Sequence, residues 1–222
     1  MEKFFQLLER FGDRAIDISV RVAPDVPVWP GDPPAELCAL AEHGESGHHL
    51  SWLGMTVHTG THLDAPFHFL ENGKRLPEFG LESFFLRAKV LHYRSAEPVP
   101  ARWLAAQDLN GAEAALFRTR NSEWWRSGDR SFHEDYVALT GPAAQRLAER
   151  GLRLVGIDYL SVDPFNSTDF PAHRALLGAG SLILETIRLD AVPPGDYGLV
   201  CLPLLLSAPD AAPARAVLLP LD

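Results

Sequence analysis

Between His58 and His68 the chain reads His-Thr-Gly-Thr-His-Leu-Asp-Ala-Pro-Phe-His, and few backbones can carry that run. His58, His62, Asp64 and His68 all sit at even offsets, so a straight strand would present them on one face. It would also hold His58 and His62 roughly 13 Å apart, at about 3.3 Å per residue. That is too far for two nitrogens that must each lie about 2 Å from one ion. A helix would bring i and i+4 together, but Thr59-Gly60-Thr61 is poor helical sequence and Pro66 disfavours helix at Ala65. The run therefore predicts a curled loop following a strand over 50–57, with Gly60 permitting the tight turn. Thr59 and Thr61 are placed to orient the ligands from behind with their hydroxyls.

Imidazoles and carboxylates are the usual protein ligands of zinc and its neighbours in the first transition row. A buried polar loop whose histidines bond backbone carbonyls accounts for any one of these side chains, but is a poor account of four together. A site built from His58, His62 and Asp64 alone leaves one position for water, the pattern of hydrolytic metal sites. Two further candidates lie downstream. Glu185 sits inside the apolar run Ser181-Leu-Ile-Leu-Glu-Thr-Ile, where a carboxylate is costly to bury unless paired or bound to metal. His173 lies in Asp-Phe-Pro-Ala-His-Arg, read as a loop. His43, His48, His49, His92 and His133 have no partners in sequence and read as surface residues.

The chain has 222 residues, enough for one domain with a sizeable core, and no tract suggests a linker that would divide residues 1–222. A formal net charge of −9 argues against nucleic-acid binding and gives no general attraction for anions. Cys38 and Cys201 are too far apart in sequence for a knuckle or a disulfide framework and read as buried apolar thiols. The opening Met-Glu-Lys-Phe-Phe-Gln is no signal peptide, and no apolar run approaches a membrane span. The expected compartment is the cytoplasm, with no membrane partner.

Phe4, Leu7, Leu8 and Phe11 share one face of a short amphipathic helix over 2–11, ended by Gly12, so residues 1–12 read as a helical arm. Strands are expected over 15–22, 88–93, 114–119, 152–157, 181–187, 199–206 and 214–219. A helix is expected over 140–151, capped by Thr140, with Pro142 in its first turn and Gly151 at its end. Residues 26–34 form a proline-rich loop. The class is α/β, a mixed and mostly buried sheet with a few helices.

The motif His58 to His68 resembles the signature of the metal-dependent cyclase family, and within it the formamidases. Asp17-Ile-Ser19, Pro27-Val-Trp-Pro-Gly-Asp32, Val155-Gly-Ile-Asp158 with Ser161-Val-Asp-Pro164, Val192 to Tyr197 and Ala212 to Val217 follow the family in the same order. The resemblance implies a swivelling β/β/α fold, a homodimer and two zinc ions per subunit, with manganese as the alternative. By motif position it makes His58, His62 and Asp64 ligands of the first ion. Asp64 and Glu185 bridge, and His173 completes the second. His68 becomes the general acid/base, and Trp29 falls where the formamidases place a substrate-contacting tryptophan. The implied activity is hydrolysis of the amide of N-formylkynurenine, a small molecule of tryptophan catabolism, to kynurenine and formate. Alternatives are opening of another cyclic amide or lactone, ring closure by the reverse reaction, and a metal-dependent binding module without catalysis. Tyr159-Leu160-Ser161 and Asn121 to Arg126 depart from the formamidase pattern and bear on the substrate pocket.

Overall fold

Alternation along four parallel strands divides the molecule into two apolar layers. The computed structural model describes residues 12–221. Its main strands are β1 (Ile16–Asp17), β4 (His62–Asp64), β5 (Phe85–His92), β6 (Ala114–Arg118), β7 (Leu154–Ile157), β8 (Leu182–Glu185), β9 (Gly195–Pro203) and β10 (Ala211–Pro220). A separate hairpin is made of β2 (Glu36–Ala41) and β3 (Leu50–Gly54). On β6, Ala114 and Leu116 face a core shared with Leu63, Leu154, Leu182, Leu184 and Leu199. Ala115 and Phe117 face the other way, into a core shared with Val155, Ile157, Ile183 and the helical residues Ala143, Leu147, Ala172 and Leu176. Strands this apolar on both faces are those of buried parallel sheets.

β5, β6, β7 and β8 run parallel, β4 pairs antiparallel with β8, and β9 pairs antiparallel with β5. β10 closes the ring. Its first three residues pair with β4, and Ala214 to Pro220 pair with β9. The result is a mixed α/β fold with a barrel-like sheet of seven strands, to which β1 adds an edge on β10. Gly156 is needed where the interior is tightest, since a Cβ there would lie 2.6 Å from Leu116 Cδ2.

The helix Gly141–Glu149 starts as expected, with the Thr140 hydroxyl accepting from the Ala143 N–H. Other expectations need correction. Strand pairing over 15–22 is limited to Ile16–Asp17 and an isolated bridge from Ser19 to Ile187. The run over 199–206 is displaced, because pairing to β5 and β10 begins at Gly195 and ends at Pro203. Cys38 is exposed on the β2–β3 hairpin, while Cys201 is buried. The hairpin also exposes Leu37, Leu40, Leu50, Trp52 and Leu53. The helix expected over 2–11 lies outside the described residues; residues 12–14 are helical, so Gly12 does not end a helix there.

Candidate metal centre

The turn at His58 to Thr61 is held by its own backbone and hydroxyls. Gly60 takes φ 69°, the left-handed region glycine enters at little cost, and its carbonyl lies 2.8 Å from His62 Nδ1. Nδ1–H therefore donates, leaving the Nε2 lone pair to face inward. The threonines act on the loop rather than on the ligands. Thr56 and Thr59 bond each other, and the Thr61 hydroxyl accepts from the Val20 N–H and donates to the Thr186 carbonyl. The curl itself is followed by a strand of three residues, β4, which is where the expected loop gives way to regular structure.

Register does the rest. His62 lies opposite Glu185 and Asp64 opposite Ile183, while Leu63 opposite Leu184 fills the barrel interior. His62, Asp64 and Glu185 therefore leave the sheet on the helix side. His62 Nε2 is 3.4 Å from Asp64 Oδ1 and 3.5 Å from Glu185 Oε2. His173 comes from the helix Pro171–Gly178, not from a loop. Pro171 suits the first turn, and the buried Asp163 carboxylate accepts from the N–H groups of Ala172 and His173, a cap supplied from a distance. Asp163 Oδ2 also lies 2.7 Å from His173 Nδ1. His173 Nε2 then points to Glu185 Oε1 at 3.4 Å and Asp64 Oδ2 at 3.7 Å.

His58 and His68 form a second group around Asp64. His58 Nδ1 is 3.0 Å from Asp64 Oδ1. His68 ends the 3-10 turn Pro66–His68, which folds back so that its ring centre is 4.3 Å from that of His58. Both imidazoles meet Asp210 Oδ2, at 3.0 Å from His58 Nε2 and 3.2 Å from His68 Nδ1. Asp210 is placed by the β10 register, where Ala211 pairs with Asp64 and the Asp210 carbonyl accepts from the Ala65 N–H.

The donors fit a divalent metal. Among the described residues, buried His62 Nε2 and both Asp64 carboxylate oxygens lack a well-aligned hydrogen bond, the oxygens meeting only imidazole nitrogens at 3.0–3.7 Å, a costly arrangement unless a cation completes it. Ligand atoms of His62, Asp64 and Glu185 lie within 4.8 Å of one another, as do those of His58, Asp64 and His68, so Asp64 belongs to both groups. In the chain by itself the carboxylates draw protons onto the imidazoles. Burial opposes charge on His58, but Asp64 and Asp210 outweigh it and push it up to about 10. His62 is pushed to about 9 in the same way, chiefly by Asp64. His68 differs, because burial holds it below the ordinary histidine value.

The structure thus brings together His58, His62, Asp64, His68, His173 and Glu185. Trp29 lies in an aromatic cluster, 5.6 Å from the Phe132 ring and 5.4 Å from Phe165. Both segments that depart from the formamidase pattern enter that cluster. Trp124 stacks on His133 at 3.9 Å, and the Tyr159 hydroxyl accepts from the His133 N–H. His133 and His92 are half-buried rather than surface residues, the first by this stacking and the second by its contact with the Val192 carbonyl. Sequence reasoning missed Asp163 and Asp210 as partners of the imidazoles, and Phe69, whose ring stacks on His173 at 4.6 Å.

Residues 16–164 match the model of the Cyclase family. The chain belongs to that family. Its relatives include a kynurenine formamidase of Geobacillus thermodenitrificans, 40% identical over 91% of this chain and 96% of that protein. Another, from Salinibacter ruber, is 40% identical over 91% and 96%. A solved structure of a potential metal-dependent hydrolase with cyclase activity superposes with a TM-score of 0.79 at 30% identity, over 92% of this chain and 96% of that one.

Proposed function

We propose that the chain is a metal-dependent amide hydrolase that converts N-formyl-L-kynurenine to kynurenine and formate. The observation that carries the reading is the buried His62–Asp64–Glu185 set with its three atoms lacking a well-aligned hydrogen bond, in a chain 40% identical to kynurenine formamidases over nearly their whole length. His58, His62 and Asp64 would hold a first zinc, and Asp64, Glu185 and His173 would hold a second, with manganese as the alternative. When bound, such ions polarise a carbonyl oxygen and lower the pKa of a bound water.

The chain's own residues supply the proton traffic and the fit. His68 is neutral near pH 7, because burial disfavours its charge. Its Nδ1–H donates to Asp210, which leaves Nε2 free to accept a proton from the attacking water and return it to the leaving nitrogen. Asp163 fixes the His173 tautomer, with Nε2 inward. Trp29 stacks on the substrate's aromatic ring, worth about 1 kcal/mol beyond its buried area. The reading includes a single domain over 1–222 working in the cytoplasm as a homodimer, for which the exposed apolar side chains of the β2–β3 hairpin offer a face.

The test is the initial rate of N-formyl-L-kynurenine hydrolysis by zinc-loaded protein beside a chelated sample. Turnover that disappears with the chelator is expected. Metal-bearing protein that leaves this substrate intact but opens isatin would overturn the assignment and keep the metal centre.

A further inference from the structure

On the barrel side of the sheet, the C-terminal ends of β5 and β6 carry a concentration of positive charge that the proposed hydrolysis does not use. His92 ends β5 and Arg118 ends β6, and the two are register partners in the parallel ladder. Two residues further on stand Arg94 and Arg120. With Arg126 they line a cleft of about 510 Å³, whose walls also include Tyr93, Thr119 and Ser122. Arg118 lies two residues beyond Leu116 and so leaves the sheet on the barrel side, whereas Glu185 shares the helix side with Ile183. None of the metal-centre residues lines the cleft.

Its charge is poorly compensated. Two carboxylates line it, and each already faces an arginine: Glu123 lies 3.9 Å from Arg126, and Asp190 lies 2.7 Å from Arg188. Arg120 is paired with Asp135. Arg118 donates to the Val192 carbonyl, 3.0 Å away, and among the described residues neither it nor Arg94 has a carboxylate within ion-pair distance. His92 registers the excess, being held below the ordinary histidine value by burial and by the charges of Arg118 and Arg94. In a chain of net charge −9, such a patch is a local exception to the overall field.

We propose that this cleft binds an oxyanion of the phosphate class, either inorganic phosphate or the phosphate of a small ester. Guanidinium forks match phosphate oxygens in paired hydrogen bonds, and the volume falls in the usual small-ligand range of about 300–1,000 Å³. Arg118, half-buried and tethered by Val192, is the fixed donor; Arg94 is exposed and swings in from the rim.

The experiment is calorimetric titration of inorganic phosphate, and separately of ADP, into zinc-loaded protein at low ionic strength. Saturable binding is expected, weakened at least tenfold in Arg118→Gln and at least threefold in Arg94→Gln. Arg102→Gln, an exposed change on the Ala101–Leu104 helix, should leave it unaltered. Arg94 makes no hydrogen bond or ion pair among the described residues, so Arg94→Gln keeps the test decisive if Arg118→Gln melts early. ADP binding more than tenfold tighter than phosphate points to an ester, and equal affinity to the free ion; both support the site. Absence of saturable binding overturns the proposal. So does binding that ignores both arginine substitutions, because that places the anion on the metal instead.

Discussion

Asp163→Ala is the change that most directly separates a metal site from an accidental cluster. The carboxylate is fully buried and accepts three hydrogen bonds, from Ala172 N–H at 2.8 Å, His173 N–H at 2.9 Å and His173 Nδ1 at 2.7 Å. Removing it strips the cap from the Pro171–Gly178 helix, a loss of about 0.5–2 kcal/mol, and leaves a buried imidazole donor without an acceptor at about 1–3 kcal/mol. Chelated protein should therefore lose about 1.5–5 kcal/mol of stability in urea. The functional effect is separate: with no acceptor at Nδ1, nothing holds the proton away from Nε2. Loss of such a partner typically weakens metal binding about 10–100-fold, or roughly 1.4–2.7 kcal/mol. Competition against a zinc-binding dye reads that number directly. Asp163→Asn keeps one oxygen, which can turn to His173 and abandon Ala172, so it should recover part of the affinity. If folded Asp163→Ala binds zinc within twofold of the parent, His173 is not a ligand held by Asp163 and the reasoning fails.

Other outcomes follow from the same geometry. His68→Ala should keep its zinc and lose about 100-fold or more in kcat; loss of metal instead would make His68 a ligand. Glu185→Gln should lower the metal content of purified protein, and unchanged content would remove Glu185 from the site. A thiol reagent should label one cysteine in native protein and two in denaturant, since Cys38 is exposed while burial pushes the Cys201 thiol up and hides it; two labelled in native protein would contradict the packing of β9. Phe117→Ala should cost about 3–5 kcal/mol in urea unfolding, because the ring is fully buried between sheet and helices. A cost under 1 kcal/mol would mean that layer is loosely packed.

The apolar runs of β6, β7 and β8 were legible because buried parallel strands advertise themselves on both faces. The β2 strand was not, since among the described residues Glu36 to Ala41 pairs only with β3 and lies largely open to solvent. Pro171 reads in sequence as a break, yet it forms the first turn of the helix that carries His173. Its cap, Asp163, lies ten residues back and is reached only in the folded chain. The Trp29 loop shows a different limit: its aromatic partners come from residues 132 and 165, and no local pattern joins them.

Asp210 marks where reading the ligands stops and reading the register begins. A carboxylate that orients two imidazoles carries no spacing signal, because 142 residues separate it from His68 and 152 from His58. Its placement follows from β10 pairing Ala211 with Asp64. The β4 register in turn is guarded by one side chain. Leu63 faces the barrel core opposite Leu184, with His62 and Asp64 on the other face. A slip of one residue would send both ligands into an apolar interior and Leu63 toward the metal, an exchange opposed by the burial of two polar groups without partners. The same short alternation that supplies the donors therefore also fixes where Asp210 and Glu185 must meet them.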